Sequence, residues 1–544
     1  MIHIKTSCLL PCDPATGKPF EYAIVKLLLA LVLANSLCGG AEETYLPGQP
    51  VVAGVCLSCS AFDRFYDARD NALAWTGWRN RRNFQALVEA VRDAATHGLD
   101  PANYALAELE AANPRRTDRR LDELATHAYL DLAHDLLRGR LDPRAVEAGW
   151  SVPRRDLDLA AHLAEALARK RVAQSLAELA PEDRGYAQLR VALANYRAVA
   201  AKGDWPLIEA GPALHPGERS PRVAQLRTRL AATGEVFRLV PETERDLFDE
   251  EISAAVRRIQ RRAHLDGDGV AGAETIAWLN IPSAYRVWQI AANLERLRWQ
   301  AGLPEGRFLR VNIPDFALEA WSDGQVERRH RLVVGRRSRP TPVFSARLAY
   351  FILNPWWETP HSLAVRDELP AFRNDPDMVE RLGFQVLDRE GNPVDPAGID
   401  WNTVSARDFP YRLRQAPGPQ NALGRVKFIF PNPHNTYLHD TPARQLFEED
   451  RRAYSSGCMR VDQPIDLARW VAEGLPAWTP ERIDRVVESQ AETRIDLDQP
   501  IPVEIVYWTV IPEGRLGTRF VEDLYDRDGI IIDELRGGGS QGLE

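Results

Sequence analysis

The segment from which the rest of the chain can be interpreted is Tyr454-Ser455-Ser456-Gly457-Cys458-Met459-Arg460-Val461. Cys458 is the only one of six cysteines beyond residue 59, so it has no neighbour in sequence with which to form a disulfide. Such a solitary thiol is either buried and inert or retained for chemistry. Gly457 permits a close approach of the backbone, and main-chain N–H groups beside a nucleophile can hold a developing oxyanion. Cys458 is therefore a candidate nucleophile.

A reactive thiol needs a base, because its ordinary pKa of about 8.5 leaves little thiolate at neutral pH. Of the 11 histidines, His439 is the best placed, in the segment Tyr437-Leu438-His439-Asp440-Thr441-Pro442 at the end of a predicted strand. Tyr437 lies two residues earlier on the same strand face, where it either contacts the thiol or is an ordinary packed tyrosine. Asp440 either orients the imidazole through its carboxylate or forms a turn. From the residues alone, a lone histidine beside a strand can equally be structural.

Length and composition indicate a multidomain globular protein. At 544 residues, with 45% hydrophobic and 27% charged residues, the chain is long enough for several domains of ordinary size. The formal net charge of -9 disfavours nucleic acid as a partner. No group of His and Cys has the spacing of metal ligands, so neither a metal nor another cofactor is expected.

The first 41 residues are interpreted as a signal peptide that directs the protein to the periplasm. Lys18 and Lys26 precede the apolar run Leu27 to Ala34, and small residues follow it. The run is shorter than the roughly 20 residues of a membrane-spanning helix, so no permanent span is expected, with an anchor as the alternative. Just after this region, Cys56 and Cys59 either form a small disulfide or stay unpaired.

Hydrophobic periodicity divides the remainder into a multidomain α+β arrangement. Spacings of three and four predict helices from Phe62 to about Ala200, whereas β-branched and aromatic runs predict a mostly β region beyond residue 305. A Pro-rich, charged stretch inside that region predicts an inserted helical cap, and insertions of this size are often lids. The predicted boundaries are 60–205 for a helical scaffold domain, 212–282 for a small three-helix module, 305–515 for the β domain, about 360–420 for its cap, and 516–544 for a C-terminal tail.

The module at 212–282 resembles a peptidoglycan-binding domain. The resemblance rests on Leu226 and Leu230 in the first helix, Val256 and Gln260 in the second, and Asp268-Gly269-Val270-Ala271-Gly272 with Thr275. The two aspartates of the loop do not form an EF-hand, because the later ligands and the closing Glu are missing. A helical spacer that binds nothing is the alternative.

The residues around the candidate nucleophile resemble the L,D-transpeptidase catalytic domains of the YkuD type. In that family a histidine is followed by Ser/Thr-x-Gly-Cys-x-Arg, as His439 is followed here by the segment 455–460. Many members have a second histidine where this chain has Ser456, and a glycine where it has Asp440. The chain is similar to the large periplasmic subgroup over roughly 60–535, and the agreement includes Val334-Gly335, Arg339-Pro340-Thr341-Pro342, Asn354-Pro355-Trp356, Asn421-Ala422-Leu423-Gly424 and Lys427-Phe428.

The resemblance implies a two-step acyl transfer without a cofactor. Cys458 is implied to attack the carbonyl at the L-centre of a tetrapeptide stem and release D-alanine, with His439 as the base. The amides of the nucleophile loop are implied to hold the oxyanion, and Arg460 to orient the loop or the substrate carboxylate. The expected oxyanion and substrate-binding residues are Ser456, Gly457, Arg460, Tyr437 and Asp440.

An amine from a second stem is then expected to resolve the thioester as a 3→3 peptidoglycan cross-link. The expected partners are peptidoglycan stem peptides, and carbapenem-type inhibitors that acylate the same thiol. Two alternatives remain open from the sequence. The same thiol can serve an L,D-carboxypeptidase in which water resolves the thioester, or the chain can be a non-catalytic peptidoglycan-binding protein.

Overall fold

The computed structural model describes residues 51–52, 55–147, 149–300, 302, 304–513 and 517–537. The predicted signal peptide at 1–41 lies outside these residues, and so do the side chains of Cys56 and Cys59 with their predicted disulfide. Within the described ranges, every helix is too short or too polar to span a bilayer. The structure confirms the predicted multidomain α+β class, with a helical N-terminal region, a three-helix module and a mostly β domain.

The N-terminal helical region packs around the long Arg119–Arg138 helix. Asp118 caps this helix by accepting a hydrogen bond from the Leu121 N–H, and buried positions recur along it every three or four residues. The short strands β1 (Val51–Val52) and β2 (Val55–Cys56) precede the region. Its helices are Leu57–Asp67, Arg81–Asp93, Leu106–Ala111, Arg119–Arg138, Pro143–Val146, Leu159–Arg169, Val172–Ala177 and Arg184–Ala201, with 3-10 turns at Ala94–His97 and Pro101–Tyr104.

The small module has its own apolar core between three helices, Pro221–Ala232, Glu250–Ala263 and Ala273–Leu279. A 3-10 turn at Glu242–Glu244 precedes the second helix. The buried Gln260 side chain donates hydrogen bonds to the Asp268 carboxylate, the Val270 carbonyl and the Thr275 hydroxyl. The loop that superficially resembles a calcium site is therefore held by an amide from the second helix.

The strands that follow the module are β3 Phe308–Asn312, β4 Ala317–Ser322, β5 Gln325–Gly335, β6 Phe344–Leu353, β7 Trp357–Glu358, β8 Phe384–Leu387, β9 Pro393–Val394, β10 Arg412–Gln415, β11 Val426–Ile429, β12 Leu438–His439, β13 Ala453–Ser455, β14 Met459–Val461, β15 Thr493–Val506, β16 Val510–Glu513 and β17 Gly517–Phe520.

The mostly β domain is a nine-stranded sheet in the order β13-β5-β14-β12-β11-β6-β15-β3-β4. Because β4 also pairs with β5, the sheet closes on itself. Apolar side chains of alternate residues fill its interior. Helices Pro464–Ala472 and Pro480–Ser489 connect β14 to β15.

The cap is inserted between β6 and β11, but it is not only helical. Short helices at His361–Leu363, Leu369–Asn374 and Met378–Arg381, with a π-helical turn at Ala364–Glu368, are joined by a four-stranded sheet in the order β7-β10-β8-β9. Its strands are two to four residues long, too short for a clear alternating pattern in the sequence. The cap has a separate apolar core, against which Tyr437 of the main sheet packs.

The segment 516–544 was predicted to be a C-terminal tail, but its described residues form a strand and a helix that pack against other parts of the chain. Strand β17 pairs with β16, and the Asp528–Leu535 helix buries Ile531, Ile532 and Leu535 against the Ser283–Arg298 helix. A buried network joins the two helices, because Asp528 accepts a hydrogen bond from Arg296 at 2.5 Å. The segment thus completes the core around the helix that leads into the β domain.

Candidate active site

Cys458 and His439 lie at one end of two adjacent strands and on one face of the sheet. β12 and β14 run parallel, with Leu438 opposite Met459 and His439 opposite Arg460. Leu438 and Met459 are fully buried in the interior of the β domain. Since side chains alternate along a strand, His439 and Arg460 point to the other face. Cys458 precedes Met459 and so flanks the same face at the strand end.

The His439 imidazole is held in one tautomer. Its Nδ1 lies 2.5 Å from the carbonyl oxygen of Asp440, so this nitrogen carries the proton and donates it. Burial, together with the positive charges of Arg460 and Lys427, lowers the pKa of His439 to about 3. The ring is therefore neutral at physiological pH, and its Nε2 lone pair can accept a proton.

The Asp440 carboxylate does not reach the substrate side of the sheet, which corrects the expectation of a substrate-binding role. It accepts hydrogen bonds from the Arg425 amide at 2.8 Å and the Thr441 amide at 2.6 Å, and it pairs with the Arg444 guanidinium at 2.6 Å. A side chain at Gly424 would collide with it. Asp440 thus positions His439 through its main-chain carbonyl, while its carboxylate fixes the adjoining turn.

The Cys458 thiol is a neutral group at rest. Burial raises the pKa of Cys458, and a hydrogen bond from the Tyr437 hydroxyl together with the charges of Lys427 and Arg460 partly offsets that rise. The Sγ atom lies 3.9 Å from the carbonyl oxygen of Asn435. With the pKa of the imidazole lowered and that of the thiol raised, both groups are neutral at neutral pH and do not form a thiolate–imidazolium pair in advance. Tyr437 lies beside the thiol.

The nucleophile loop is fixed by hydrogen bonds that use some of the predicted oxyanion donors. The Gly457 N–H donates to the Ser455 hydroxyl at 3.1 Å, and this hydroxyl donates to the Cys458 carbonyl at 2.5 Å. Gly457 has a φ of 114°, which favours glycine and turns the chain at this point. The Gly457 amide is therefore engaged inside the loop in this structure, rather than free to hold an oxyanion as predicted.

Thr341 ties the nucleophile loop to the end of β5. Its hydroxyl donates to the Gly457 carbonyl and accepts from the Gly335 N–H, both at 2.9 Å, and its side chain is fully buried. The Tyr525 hydroxyl donates to the Gly335 carbonyl at 2.6 Å, so the C-terminal segment also supports the loop. Thr341 lies in the Arg-Pro-Thr-Pro motif, but the sequence does not show which backbone groups its hydroxyl contacts.

Ser456 connects the nucleophile loop to the cap through a guanidinium. Arg339 donates to the Ser456 hydroxyl at 2.9 Å and to both carboxylate oxygens of Asp367, at 2.7 and 3.0 Å. Asp367 belongs to the π-helical turn of the cap. The opposite charge of Arg339 lowers the pKa of the Asp367 carboxyl, so the pair stays ionised at neutral pH. Ser456 therefore positions the cap and the loop relative to each other.

Two cationic side chains face the thiol. The Lys427 ammonium lies 4.2 Å from the centre of the Tyr437 ring, on the strand paired with His439. Arg460 is partly buried, and its Nε has no hydrogen-bond partner among the described residues. Sequence reasoning proposed Arg460 but gave no role to Lys427; the alternation in β11, with Phe428 buried in the interior, is the signal that places Lys427 on the active face.

Comparisons with protein families match three consecutive regions of the chain. A family described as the L,D-transpeptidase catalytic domain, YkuD, matches residues 306–483. A scaffold domain matches residues 60–193, and a family described as "Putative peptidoglycan binding domain" matches residues 219–279.

A Haemophilus influenzae protein named "Putative L,D-transpeptidase" is 38% identical over 241 residues, which are 44% of this chain and 48% of that protein. The match thus spans about half the length of this relative. An L,D-transpeptidase structure from Xylanimonas cellulosilytica aligns at 14% identity over 55% of this chain and 99% of its own, with a TM-score of 0.17. One from Stackebrandtia nassauensis aligns at 12% identity over 55% and 96%, with a TM-score of 0.21. These two likenesses are too low to support any inference.

The sequence motif, the strand register and the family match together identify residues 306–483 as a YkuD-family L,D-transpeptidase catalytic domain, preceded by a scaffold domain and a peptidoglycan-binding domain.

Proposed function

We propose that the protein is a cysteine L,D-transpeptidase that forms 3→3 cross-links between peptidoglycan stem peptides. The observation that carries the proposal is the pairing of β12 with β14. This pairing puts the solitary thiol of Cys458 and the tautomer-fixed imidazole of His439 on one face, beside the guanidinium of Arg460. A neutral imidazole next to a neutral thiol is the starting state for general-base activation of a nucleophile.

In the first step the Cys458 sulfur attacks the amide carbonyl at the L-centre of a donor tetrapeptide. His439 Nε2 takes the thiol proton as the S–C bond forms, and the Asp440 carbonyl holds the resulting imidazolium through Nδ1–H. The Cys458 amide donates to the oxyanion. The C–N bond then breaks, His439 returns the proton to the departing amine, and D-alanine leaves a thioester on Cys458.

In the second step a side-chain amine of another stem attacks the thioester. Its proton passes to His439, the C–S bond breaks, and the thiol is regenerated by the same proton. Arg460 suits the carboxylate of a stem peptide, because its guanidinium lies near the thiol and its Nε has no hydrogen-bond partner among the described residues. The cap, docked through Arg339 and Asp367, limits the access of water and so favours the amine over hydrolysis.

The module and the proposed chemistry support a location at the cell wall. A peptidoglycan-binding module beside the catalytic domain would raise the local concentration of stem peptides. The proposal includes export to the periplasm, where these stems are found. A carbapenem should acylate Cys458, because its strained lactam offers the thiol a reactive carbonyl in the same cleft.

The proposal is tested with the full mature chain and purified tetrapeptide muropeptides, with the products separated by mass. We expect dimers that have lost one D-alanine, none with Cys458→Ala, and normal dimers with the control Tyr454→Phe, whose exposed side chain lies in the same segment. Tripeptides without dimers would instead make the protein an L,D-carboxypeptidase. Unchanged muropeptides with the intact chain would leave only a binding protein.

A further inference from the structure

A second site lies far along the chain from the nucleophile, in a cavity of about 680 Å³ between the scaffold, the module and the hairpin of β16 and β17. Its walls come from the Arg184–Ala201 helix, from all three helices of the module, and from residues 518–520 of β17. The volume is that of an ordinary small-molecule pocket.

Arg229 of the module is the residue in this cavity that points to a ligand. It is 6% exposed, its Nε donates to the Leu279 carbonyl at 2.9 Å, and its guanidinium stacks on Trp205 at 4.9 Å. Its Nη1 is buried and has no hydrogen-bond partner among the described residues. Burial lowers the pKa of Arg229 to about 10, so it is still charged at neutral pH. A buried charge without a partner is costly, and such a group is usually retained for binding.

Arg286 adds a second buried cation to the same wall. Its guanidinium is held between the rings of Trp278 and Phe520, at 4.3 and 4.4 Å from their centres. It donates to the Gln289 side chain at 2.7 Å, but it forms no ion pair within the described part of the chain. The pKa of Arg286 is lowered to about 10 by burial, and the positive charge of Arg229 also lowers it. The positive charges of the two guanidiniums therefore repel each other.

The other charged groups at the cavity do not cancel this potential. Arg262 is paired with Glu235, and Arg519 is paired with Asp315, and each of these carboxylates also pairs with a further cation, Arg258 or Arg329. The charge of Asp204 acts on Arg229, but the Asp204 carboxylate accepts hydrogen bonds from the Trp205 and Ser283 amides and forms no ion pair with Arg229. An entering anion would therefore meet two guanidiniums that have no ion-pair partner among the described residues.

The remaining wall suits a sugar or an apolar portion of a peptide. Tyr196, Trp205, Trp278 and Phe520 line the cavity, and aromatic rings bind such faces while cations bind carboxylates. We infer that this cavity is a second peptidoglycan-binding site, in which Arg229, supported by Arg286, binds a carboxylate of a stem peptide whose adjoining part packs on the aromatic wall. The inference rests on the proposed function only in taking peptidoglycan as the ligand.

The test uses the full mature chain with Cys458→Ala, so that ligand binds without turnover. Calorimetric titration with a purified disaccharide tetrapeptide should show two sites, and Arg229→Gln should weaken one of them by roughly tenfold to a hundredfold, the effect of losing a charged hydrogen bond. The matched control is Arg245→Gln, an exposed arginine of the same module outside the cavity. A disaccharide tetrapeptide whose carboxylates have been amidated should bind the parent chain with the same weakened affinity that the unmodified peptide shows for Arg229→Gln.

Stability separates a binding arginine from a structural one. Because Arg229 is a buried charge that forms no ion pair among the described residues, Arg229→Gln should leave the unfolding temperature unchanged or raise it, whereas removal of a structural arginine would lower it. Val191 lines the mouth and is 62% exposed, so Val191→Glu can be made without disturbing the core. Its carboxylate should weaken binding several-fold relative to Val191→Gln.

Equal affinity of the parent, Arg229→Gln and Val191→Glu would overturn the inference, as would equal binding of the acid and its amide. Failure of cross-linking with intact binding in the cavity would refute the proposed function alone, and a parent chain that cross-links normally but shows a single binding site would refute only the second site.

Discussion

Thr341→Val should loosen the nucleophile loop without changing the volume of the side chain. The Thr341 hydroxyl is fully buried and satisfies two main-chain groups at 2.9 Å, the Gly335 N–H and the Gly457 carbonyl. Valine keeps the shape but leaves both groups unpaired, at about 1–3 kcal/mol each, or roughly 2–6 kcal/mol in total. Because Gly457 precedes the nucleophile, part of this loss should displace the Cys458 amide from the oxyanion.

The assay combines carbapenem acylation, followed by intact mass, with hydrogen exchange of the segment 454–461. We expect acylation to slow by about 10- to 100-fold, as when an oxyanion donor is misplaced, with faster exchange of the loop amides. Thr341→Ser is the matched control, since it keeps the hydroxyl and loses only a methyl group. If Thr341→Val acylates and exchanges like the parent, the hydroxyl does not support the loop and the reasoning fails.

Three further results follow from the site. Alkylation of Cys458 by iodoacetamide should increase with pH toward a midpoint above the ordinary cysteine pKa of about 8.5, since burial raises the pKa of this thiol. Because the pKa of His439 is lowered to about 3, its protonation should cause no loss of acylation between pH 8 and 5.5. A loss of acylation centred near pH 6.5 would contradict the neutral state of the imidazole. Lys427→Met should slow that alkylation several-fold at pH 8 by raising the thiol pKa, whereas Lys427→Arg, measured in parallel, should not. Asp367→Asn should weaken the docking of the cap by about 0.5–1 kcal/mol, because it removes the ion pair with Arg339. Hydrogen exchange in residues 364–374 should become a few-fold faster, and the ratio of tripeptide to dimer should rise. An unchanged product ratio would show that the cap does not limit the access of water.

Local pattern was sufficient for the α+β class and for its helical and mostly β regions. Helical spacing in the N-terminal region and alternation in β3, β6 and β11 each follow from burying one face, so they can be read without knowing the partner of the element. The cap and the C-terminal segment were harder, because strands of two to four residues and a single two-turn helix carry little periodicity. Their structure depends on a core supplied by other parts of the chain.

The sequence by itself determined the chemical groups of the site: a solitary Cys458, a His439 on a strand, and an Arg460 two residues beyond the thiol. Only the tertiary structure decided what each polar group contacts. Asp440 supplies its carbonyl to His439 because its carboxylate is taken by amides of the following turn and of the β11 entry. Gly457 gives its amide to Ser455 within the loop. The physical reason is that a hydrogen bond depends on the distance and the direction between its donor and acceptor. In this site the positions of donors and acceptors are set by the pairing of strands that are distant in sequence, and not by neighbours along the chain.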